Sequence, residues 1–182
     1  MMKVLETKLD GVYLFEPRVF RDGRGFFMES YNERVMEELG FQFRFVQDNH
    51  SLSTKAGTIR GLHYQEEPMA QTKLIRVIRG AIYDVAVDLR KNSSTFGKWV
   101  GVTLSAENYL QILIPKGFAH GFCTLVEKTE VLYKVDQFYS PAHEKGIRWD
   151  DPEIGIDWPV SDPILSEKDM KHPFFREIEK LF

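Results

Sequence analysis

The sequence predicts an all-β fold from its aromatic content, its side-chain alternation and its turn residues. Aromatic residues make up 13% of the 182 residues, mostly as 14 Phe and 7 Tyr, which are enriched in strands. Alternation with period two is clearest at 83–89. One strand face there would carry Tyr83, Val85, Val87 and Leu89, and the other Asp84, Ala86 and Asp88. Gly, Pro, Asn and Ser separate such stretches at 79–80, 92–94, 115–117 and 140–141.

Short strands with frequent turns are typical of a double-sheet antiparallel sandwich or barrel. Among these we favour the jelly roll, or double-stranded β-helix, although the alternation by itself also fits other sandwiches. No linker, repeat or low-complexity stretch divides the chain, so we expect residues 1–182 to form one domain.

Short peripheral helices are predicted at two places. Asn32 is a residue type that caps helix N-termini, and the helical stretch 33–39 that follows is ended by Gly40. A second helical stretch is predicted at 174–181, within a C-terminal helical segment of about 166–182.

Charge and composition exclude several classes of function. The formal net charge is −3 and no basic cluster occurs, so we expect no nucleic-acid partner. Cys123 is the only cysteine, which excludes an intramolecular disulfide and a CxxC metal site. The apolar runs are too short for a membrane span, and the first residues lack a signal-peptide stretch. We therefore expect a cytoplasmic protein with no membrane partner.

Several polar residues fall where strand parity predicts buried side chains. They are His63 on the parity of Ile59, Lys73 on that of Ile75 and Val77, His120 on that of Phe118 and Phe122, and Tyr133 between Val131 and Val135. Taken singly, an inward His is more often a hydrogen-bonded core residue, and an inward Tyr is more often core filler. A Lys, however, is almost never buried without a partner. The four together therefore indicate a polar pocket inside the barrel.

Two arginines flank this pattern. Arg60 has the opposite parity from His63 in a regular strand, and a bulge at Gly61 would bring both to one side. Arg24 lies in the turn-like segment 22–25, where spacing alone favours an exposed loop charge.

The spacing of the histidines indicates whether the chain has the metal site of cupins. The segment 115–120, which ends at His120, matches the second half of the metal-binding cupin pattern. The first half requires His-x-His followed closely by Glu, and segment 61–65 offers only His63. Two of the four usual ligands are missing, so the sequence predicts a cupin-type jelly roll without a metal.

Six segments in register carry a family resemblance. They are 45–51 (FVQDNHS), 59–65 (IRGLHYQ), 71–77 (QTKLIRV), 80–90 (GAIYDVAVDLR), 114–122 (IPKGFAHGF) and 165–169 (LSEKD). In this order they resemble the dTDP-4-dehydrorhamnose 3,5-epimerase family from about Phe15 to Asp169. The resemblance implies a homodimeric jelly roll without a cofactor. It also implies a substrate, dTDP-4-keto-6-deoxyglucose, and a product that is used for cell-surface rhamnose.

The resemblance also implies roles for individual residues. His63 would be the general base and Asp169 would orient it, Lys73 would stabilise an enolate, and Tyr133 would return a proton from the opposite face. The substrate-binding residues it implies are His120, Arg60, Gln47, Asn49, Glu144, Lys168 and Tyr139, together with Arg24 and Glu29 from the partner subunit.

These residue types suit the implied chemistry. The C3 and C5 protons flank the C4 ketone, and a neutral imidazole can remove them only where the resulting enolate is stabilised. A cation such as Lys73 beside the developing oxyanion supplies that stabilisation. A carboxylate partner fixes the tautomer of His63 and raises its basicity. Inversion then requires a donor on the opposite face, for which the Tyr133 phenol is suited.

Three alternatives stay open from the sequence. The first is an enzyme that acts at one carbon only, or a 3,4-ketoisomerase, on a dTDP-4-keto sugar. The second is a non-catalytic module that binds sugar nucleotides, against which His63, Lys73, Tyr133 and Asp169 argue. The third is a metal-dependent cupin oxygenase, which the ligand count disfavours.

Overall fold

The computed structural model describes residues 2–179 and 181–182, and within them the chain forms thirteen β-strands, one α-helix and two 3₁₀ helices. The helices are α1 (Glu33–Glu38) and two 3₁₀ turns, Asp169–Lys171 and Phe175–Glu177. The strands are β1 (Lys3–Glu6), β2 (Tyr13–Glu16), β3 (Val19–Asp22), β4 (Gly25–Met28), β5 (Gln47–Ser53), β6 (Ile59–Gln65), β7 (Lys73–Arg79), β8 (Ala81–Asp88), β9 (Trp99–Ser105), β10 (Gln111–Ile114), β11 (Phe118–Thr124), β12 (Thr129–Val135) and β13 (Glu144–Gly146).

Two antiparallel sheets face each other and form the predicted jelly roll. The larger sheet has the order β1-β2-β10-β7-β12-β5, and the smaller has the order β13-β6-β11-β8-β9. Strands β3 and β4 form a separate hairpin. Because strands distant in sequence are neighbours in both sheets, residues from 47 to 146 meet in one interior. The predicted cupin-type, all-β fold is confirmed.

The interior between the sheets is apolar over most of its length. Its buried residues include Ile75 and Val77 from the larger sheet and Ile82, Ala86 and Phe122 from the smaller one. They belong to every second residue of their strands, because successive side chains of a strand point to opposite faces.

Strand β8 has both faces buried. Its alternation of polar and apolar residues therefore does not separate a buried face from an exposed one. Asp84 and Ala86 lie on the face toward the other sheet, and Asp84 is fully buried. Val85 and Val87, on the outer face, are covered by the C-terminal third of the chain, including Phe175. The predicted division of faces is confirmed, and the more polar face is the interior one.

The first predicted helix is confirmed, with Asn32 as its N-cap. The Asn32 side-chain oxygen accepts a hydrogen bond from the Val35 amide at 3.3 Å. The second, at 174–181, is wrong, because only Phe175–Glu177 forms a 3₁₀ turn and the described residues after it are not helical. Position 180 lies outside the described residues. Ile178, Leu181 and Phe182 instead pack against the outer face of the smaller sheet.

None of the helices in the described part of the chain has the length and apolar character needed to span a membrane.

A bulge in β6 determines which side chains enter the interior. His63 pairs with His120 and Arg60 pairs with Phe122, so three residue steps on β6 match two on β11. Arg60 and His63 therefore share a face, as predicted for a bulge at Gly61. The predicted parity of His63 with Ile59 is wrong for the same reason. Gly61 is required here, because its φ is +135° and an added Cβ would lie 2.5 Å from the Cα of Gly121.

We expect Gly61→Ala to lower the free energy of unfolding by more than about 2 kcal/mol, because backbone strain and steric overlap act together. Gly40→Ala is a matched control, since Gly40 also has a positive φ, of +90°, and no atom within 4 Å of an added Cβ. It should cost about 1 kcal/mol, from strain alone. Urea unfolding of both variants at one protein concentration measures the difference. Equal losses would contradict the close contact at Gly61.

Candidate active site

A cavity of about 480 Å³ opens between the two sheets, where the apolar interior becomes polar. A smaller space of about 100 Å³ adjoins it, and both are lined by His63, Lys73, Tyr133, Tyr139 and Glu144. The larger cavity is also lined by Arg60, His120, Phe122, Lys168 and Asp169, and the smaller one by Gln47, Asn49, Gln65 and Gln71.

The two walls carry different functional groups. His63 and His120 are register partners on β6 and β11 of the smaller sheet. Lys73 and Tyr133 lie on β7 and β12, adjacent strands of the larger sheet. The imidazoles therefore lie across the cavity from the amine and the phenol.

His63 is held by a buried carboxylate. Its Nε2 lies 2.5 Å from Oδ1 of Asp169, which begins a 3₁₀ helix and whose amide donates to the Ser166 hydroxyl. Burial acts to raise the pKa of Asp169, but contacts with His172 and His63 outweigh it and hold that pKa well below its ordinary value. Burial lowers the pKa of His63, and this outweighs the opposing influence of Asp169. The pair is therefore an ionised carboxylate and a neutral imidazole, whose Nε2 donates and whose Nδ1 is free to accept a proton.

Lys73 is a buried amine with two carboxylates in its surroundings. Burial lowers its pKa from 10.5 to about 8, and Asp84 and Glu144 oppose this shift. Asp84 is fully buried, and its Oδ2 lies 2.9 Å from Nε2 of His120. Its Oδ1 has no hydrogen-bond partner among the described residues. Asp84 thus holds His120 in place and supports the positive charge of Lys73.

Tyr133 is a half-buried phenol. Burial raises its pKa, Arg60 acts in the opposite direction, and Glu144 raises it further. The net increase keeps the hydroxyl protonated at neutral pH, so Tyr133 is available as a proton donor.

At the rim of the cavity, Glu144 links two other side chains by hydrogen bonds. Its Oε2 accepts hydrogen bonds from the Tyr139 hydroxyl and the Lys168 amine, each at 2.5 Å. Burial would raise the pKa of Glu144, but Lys168 and Tyr139 outweigh burial and lower it, so this carboxylate is ionised. On the other side of the rim, the Arg60 guanidinium donates to Ser53 Oγ at 3.1 Å.

Two predicted site residues lie away from the cavity. Arg24 is at the tip of the β3–β4 hairpin, where its side chain is 91% exposed and pairs with Asp22. Glu29 follows the hairpin and accepts a hydrogen bond from Asn32. The remaining predicted residues line one of the two adjoining spaces within a single chain.

Sequence reasoning missed the site contributions of Asp84 and His172. Strand parity places Asp84 only on a face shared with Ala86 and Asp88, although a carboxylate at interior parity is a signal for a polar partner. His172 lies three residues after Asp169, a spacing that places both on one side of a helical turn. The donor atoms of His63, Asp169 and His172 lie within 4.8 Å of one another. These are the described side chains that could hold a metal ion, and they differ from the cupin ligand set.

Comparison with known proteins finds a matching family model and similar relatives. The family model described as dTDP-4-dehydrorhamnose 3,5-epimerase matches residues 6–177. The dTDP-4-dehydrorhamnose 3,5-epimerase of Shigella flexneri is 59% identical over 170 residues, which cover 93% of each chain.

Solved structures agree as well. The crystal structure of the Bacillus anthracis dTDP-4-dehydrorhamnose 3,5-epimerase with TDP and PPi bound has a TM-score of 0.94 and 60% identity, covering 96% of this chain and 99% of that one. The Legionella pneumophila 3,5-epimerase in complex with dTDP-4-keto-L-rhamnose has a TM-score of 0.94 and 45% identity, covering 98% and 95%. The chain belongs to the dTDP-4-dehydrorhamnose 3,5-epimerase family.

Proposed function

We propose that this protein is an isomerase that inverts C3 and C5 of dTDP-4-dehydro-6-deoxy-D-glucose, giving dTDP-4-dehydro-L-rhamnose. The observation that carries the proposal is the placement of His63 and Tyr133 on opposite walls of one cavity, with Lys73 beside Tyr133. Inversion at carbon needs a base and an acid on opposite faces of the sugar, and this arrangement provides them.

His63 acts as the general base. Its neutral state leaves Nδ1 free, while Nε2 donates to Asp169 at 2.5 Å. When Nδ1 takes the C3 or C5 proton, the ring becomes an imidazolium, and the ionised Asp169 stabilises that positive charge.

Lys73 stabilises the enolate that forms at the C4 oxygen. A cation at a developing oxyanion in a water-poor site is worth roughly several kcal/mol. Burial keeps the pKa of Lys73 near 8, so the amine is still largely protonated at neutral pH. Tyr133 then delivers a proton to the opposite face of the carbon and is reprotonated from solvent. Each step is assigned to a side chain of the protein, so the proposed mechanism uses no cofactor.

The nucleotide part is held at the cavity rim. Arg60 is suited to the diphosphate, because a guanidinium forms paired hydrogen bonds with phosphate oxygens. Tyr139 is half exposed and its hydroxyl is held by Glu144, so we assign its ring to stacking on the base. The relatives with TDP and with dTDP-4-keto-L-rhamnose bound support a ligand of this class. Gln47, Asn49, His120 and Lys168 complete the ligand contacts that we assign to this chain.

The site is completed by a partner subunit. Phe20, Phe26 and Phe27 of the β3–β4 hairpin are 48%, 54% and 67% exposed, and an exposed apolar hairpin indicates an interface. A C2 dimer that docks this hairpin on its partner would carry Arg24 and Glu29 with it. We therefore assign both residues to the partner's cavity. The cytoplasmic location and the use of the product in cell-surface polysaccharide stay predictions.

Substrate exchange in deuterated water separates the two proton-transfer roles. His63→Ala and Asp169→Ala should each lower turnover by about 10²–10⁴-fold and lose deuterium incorporation at C3 and C5 equally. Tyr133→Phe should lose conversion more than it loses exchange, because the base still removes and returns protons on its own face. Proton NMR of both carbons measures exchange and inversion together.

Two outcomes of this experiment would contradict the roles. A near wild-type rate in His63→Ala removes the base assignment, and parallel loss of exchange and conversion in Tyr133→Phe removes the donor assignment. Tyr83→Phe, on the outer face of β8, is the matched control and should change neither quantity. Binding of dTDP should be little affected in the His63 and Asp169 variants.

Activity should fall as pH rises through about 8, where Lys73 loses its proton. Burial lowers the pKa of Lys73 from its ordinary value of 10.5, so the ammonium is deprotonated within the pH range of the assay. The alkaline limb of kcat/KM reports this group in the free enzyme. Lys73→Arg, which stays charged, should remove the alkaline limb. Lys134→Arg, next to Tyr133 on β12, is the control and should leave the limb in place.

If Lys73→Arg is too slow to assay, NMR of ¹³C-labelled lysine side chains gives the same quantity directly. One resonance should titrate near pH 8 and be absent from Lys73→Met. Titration of that resonance near 10.5 would contradict the predicted burial effect.

Complementation between two impaired variants tests the contribution of the partner subunit. Arg24→Ala and His63→Ala chains, co-expressed with different tags and purified as a heterodimer, would contain one complete site and one doubly impaired site. At low substrate concentration this heterodimer should have about half the wild-type rate, while each homodimer is slow. If Arg24 acts within its own chain, the heterodimer gains no such rate over the two homodimers.

A further inference from the structure

Asp169 and His172 are aligned by the short helix that joins them. In a 3₁₀ helix, residues three apart lie above one another, and Asp169–Lys171 is such a helix with His172 as its C-cap. Both side chains consequently face β6, which contributes His63. The His63 and His172 rings meet edge to face, with centroids 5.4 Å apart and planes at 76°.

Both imidazoles direct their Nε2 atoms at Oδ1 of Asp169. Nε2 of His63 lies 2.5 Å from Oδ1 of Asp169, and Nε2 of His172 lies 3.4 Å from the same atom. The second contact is close but too poorly directed to be a hydrogen bond. Nε2 of His172 is therefore a buried atom without a hydrogen-bond partner among the described residues. A buried polar nitrogen left in this state is costly, and a ligand that bound it would remove the cost.

The backbone holds His172 in place. Its side chain is only 10% exposed, and that of Asp169 is 5% exposed. The His172 ring lies against Gly146 of β13, where any Cβ would overlap the ring atoms. The three donor groups are thus preorganised, which reduces the entropy lost on binding an ion.

We infer that His63, Asp169 and His172 form a binding site for a divalent transition-metal ion, with Zn²⁺ the best-suited species. Two imidazoles and one carboxylate are a common protein ligand set for Zn²⁺, with a fourth position left for water. Tetrahedral coordination at about 2.0–2.1 Å separates the donor atoms by roughly 3.3 Å. The three donor atoms already lie within 4.8 Å of one another, so only small side-chain shifts are needed. His120 is not in this set, because its Nε2 is engaged by Asp84.

Occupation of this site stops catalysis, an effect that rests on the proposed role of His63. Zn²⁺ would bond to Nε2 of His63 in place of the proton shared with Asp169, and that proton would move by way of solvent to Nδ1 of the same ring. The ring then stays neutral with its one proton on Nδ1, the nitrogen assigned to the C3 and C5 protons. The ion therefore acts as an inhibitor, and the metal-free protein is the active form.

Metal binding can be measured without reference to turnover. Metal-stripped protein is titrated with Co²⁺, whose visible absorption reports coordination, and with Zn²⁺ against a chromophoric chelator. Wild type should bind one ion, and His172→Phe, which keeps a ring of similar size without donor atoms, should bind at least 10-fold more weakly. His172→Gln provides a second variant. His50→Gln, which removes an exposed histidine paired with Glu130, should bind as wild type does.

Turnover is then measured over a Zn²⁺ series, with each variant compared with its own metal-free rate. Half-inhibition in the His172 variants should need at least 10-fold more Zn²⁺ than in wild type and His50→Gln, and EDTA should restore activity. Equal metal binding by wild type and both His172 variants, or none by wild type, overturns the site. Binding that depends on His172 but does not inhibit overturns the proposed role of His63 and leaves the metal site standing.

Discussion

The enclosure of ionisable side chains between two apolar sheets is the constraint on which this protein depends. A charge removed from water is costly unless another group compensates it, and the interior supplies that compensation internally. Asp84 is fully buried, holds His120 and supports the charge of Lys73. On the same wall of the cavity, Asp169 holds His63. The same burial that makes these groups expensive also brings the pKa of Lys73 near neutrality, so stability and reactivity share one physical cause.

The bulge in β6 brings two site residues to one wall of the cavity. In a regular strand, Arg60 and His63 would point to opposite sides, and the residue proposed for the diphosphate would be separated from the proposed base by the sheet. The extra residue at Gly61 brings them to one face, and the close approach of Gly121 allows only a glycine there. In the proposed function, binding energy from the nucleotide then positions the sugar against His63, as enzymes that use remote binding energy require.

Much of the site was predictable because β-strand parity is a local property. Lys73, His120 and Tyr133 were placed inward from alternation alone, and the structure has them there. The resemblance, rather than any pattern, supplied Asp169, since its contact with His63 joins positions 106 residues apart. The helix predicted for 174–181 failed because packing on the sheet overrides local propensity there.

The C-terminal segment has two tasks that cannot be separated. Phe175, Leu181 and Phe182 cover the outer face of the smaller sheet, and the same stretch of chain presents Asp169 to His63 on β6. The proposed base therefore acquires its carboxylate only when the segment that carries Asp169 has docked on β6. Before that docking, His63 would lack the partner that fixes its tautomer, even with Lys73 and Tyr133 already in the interior. In the proposed mechanism, the docking of this one segment thus separates a folded barrel from a competent one.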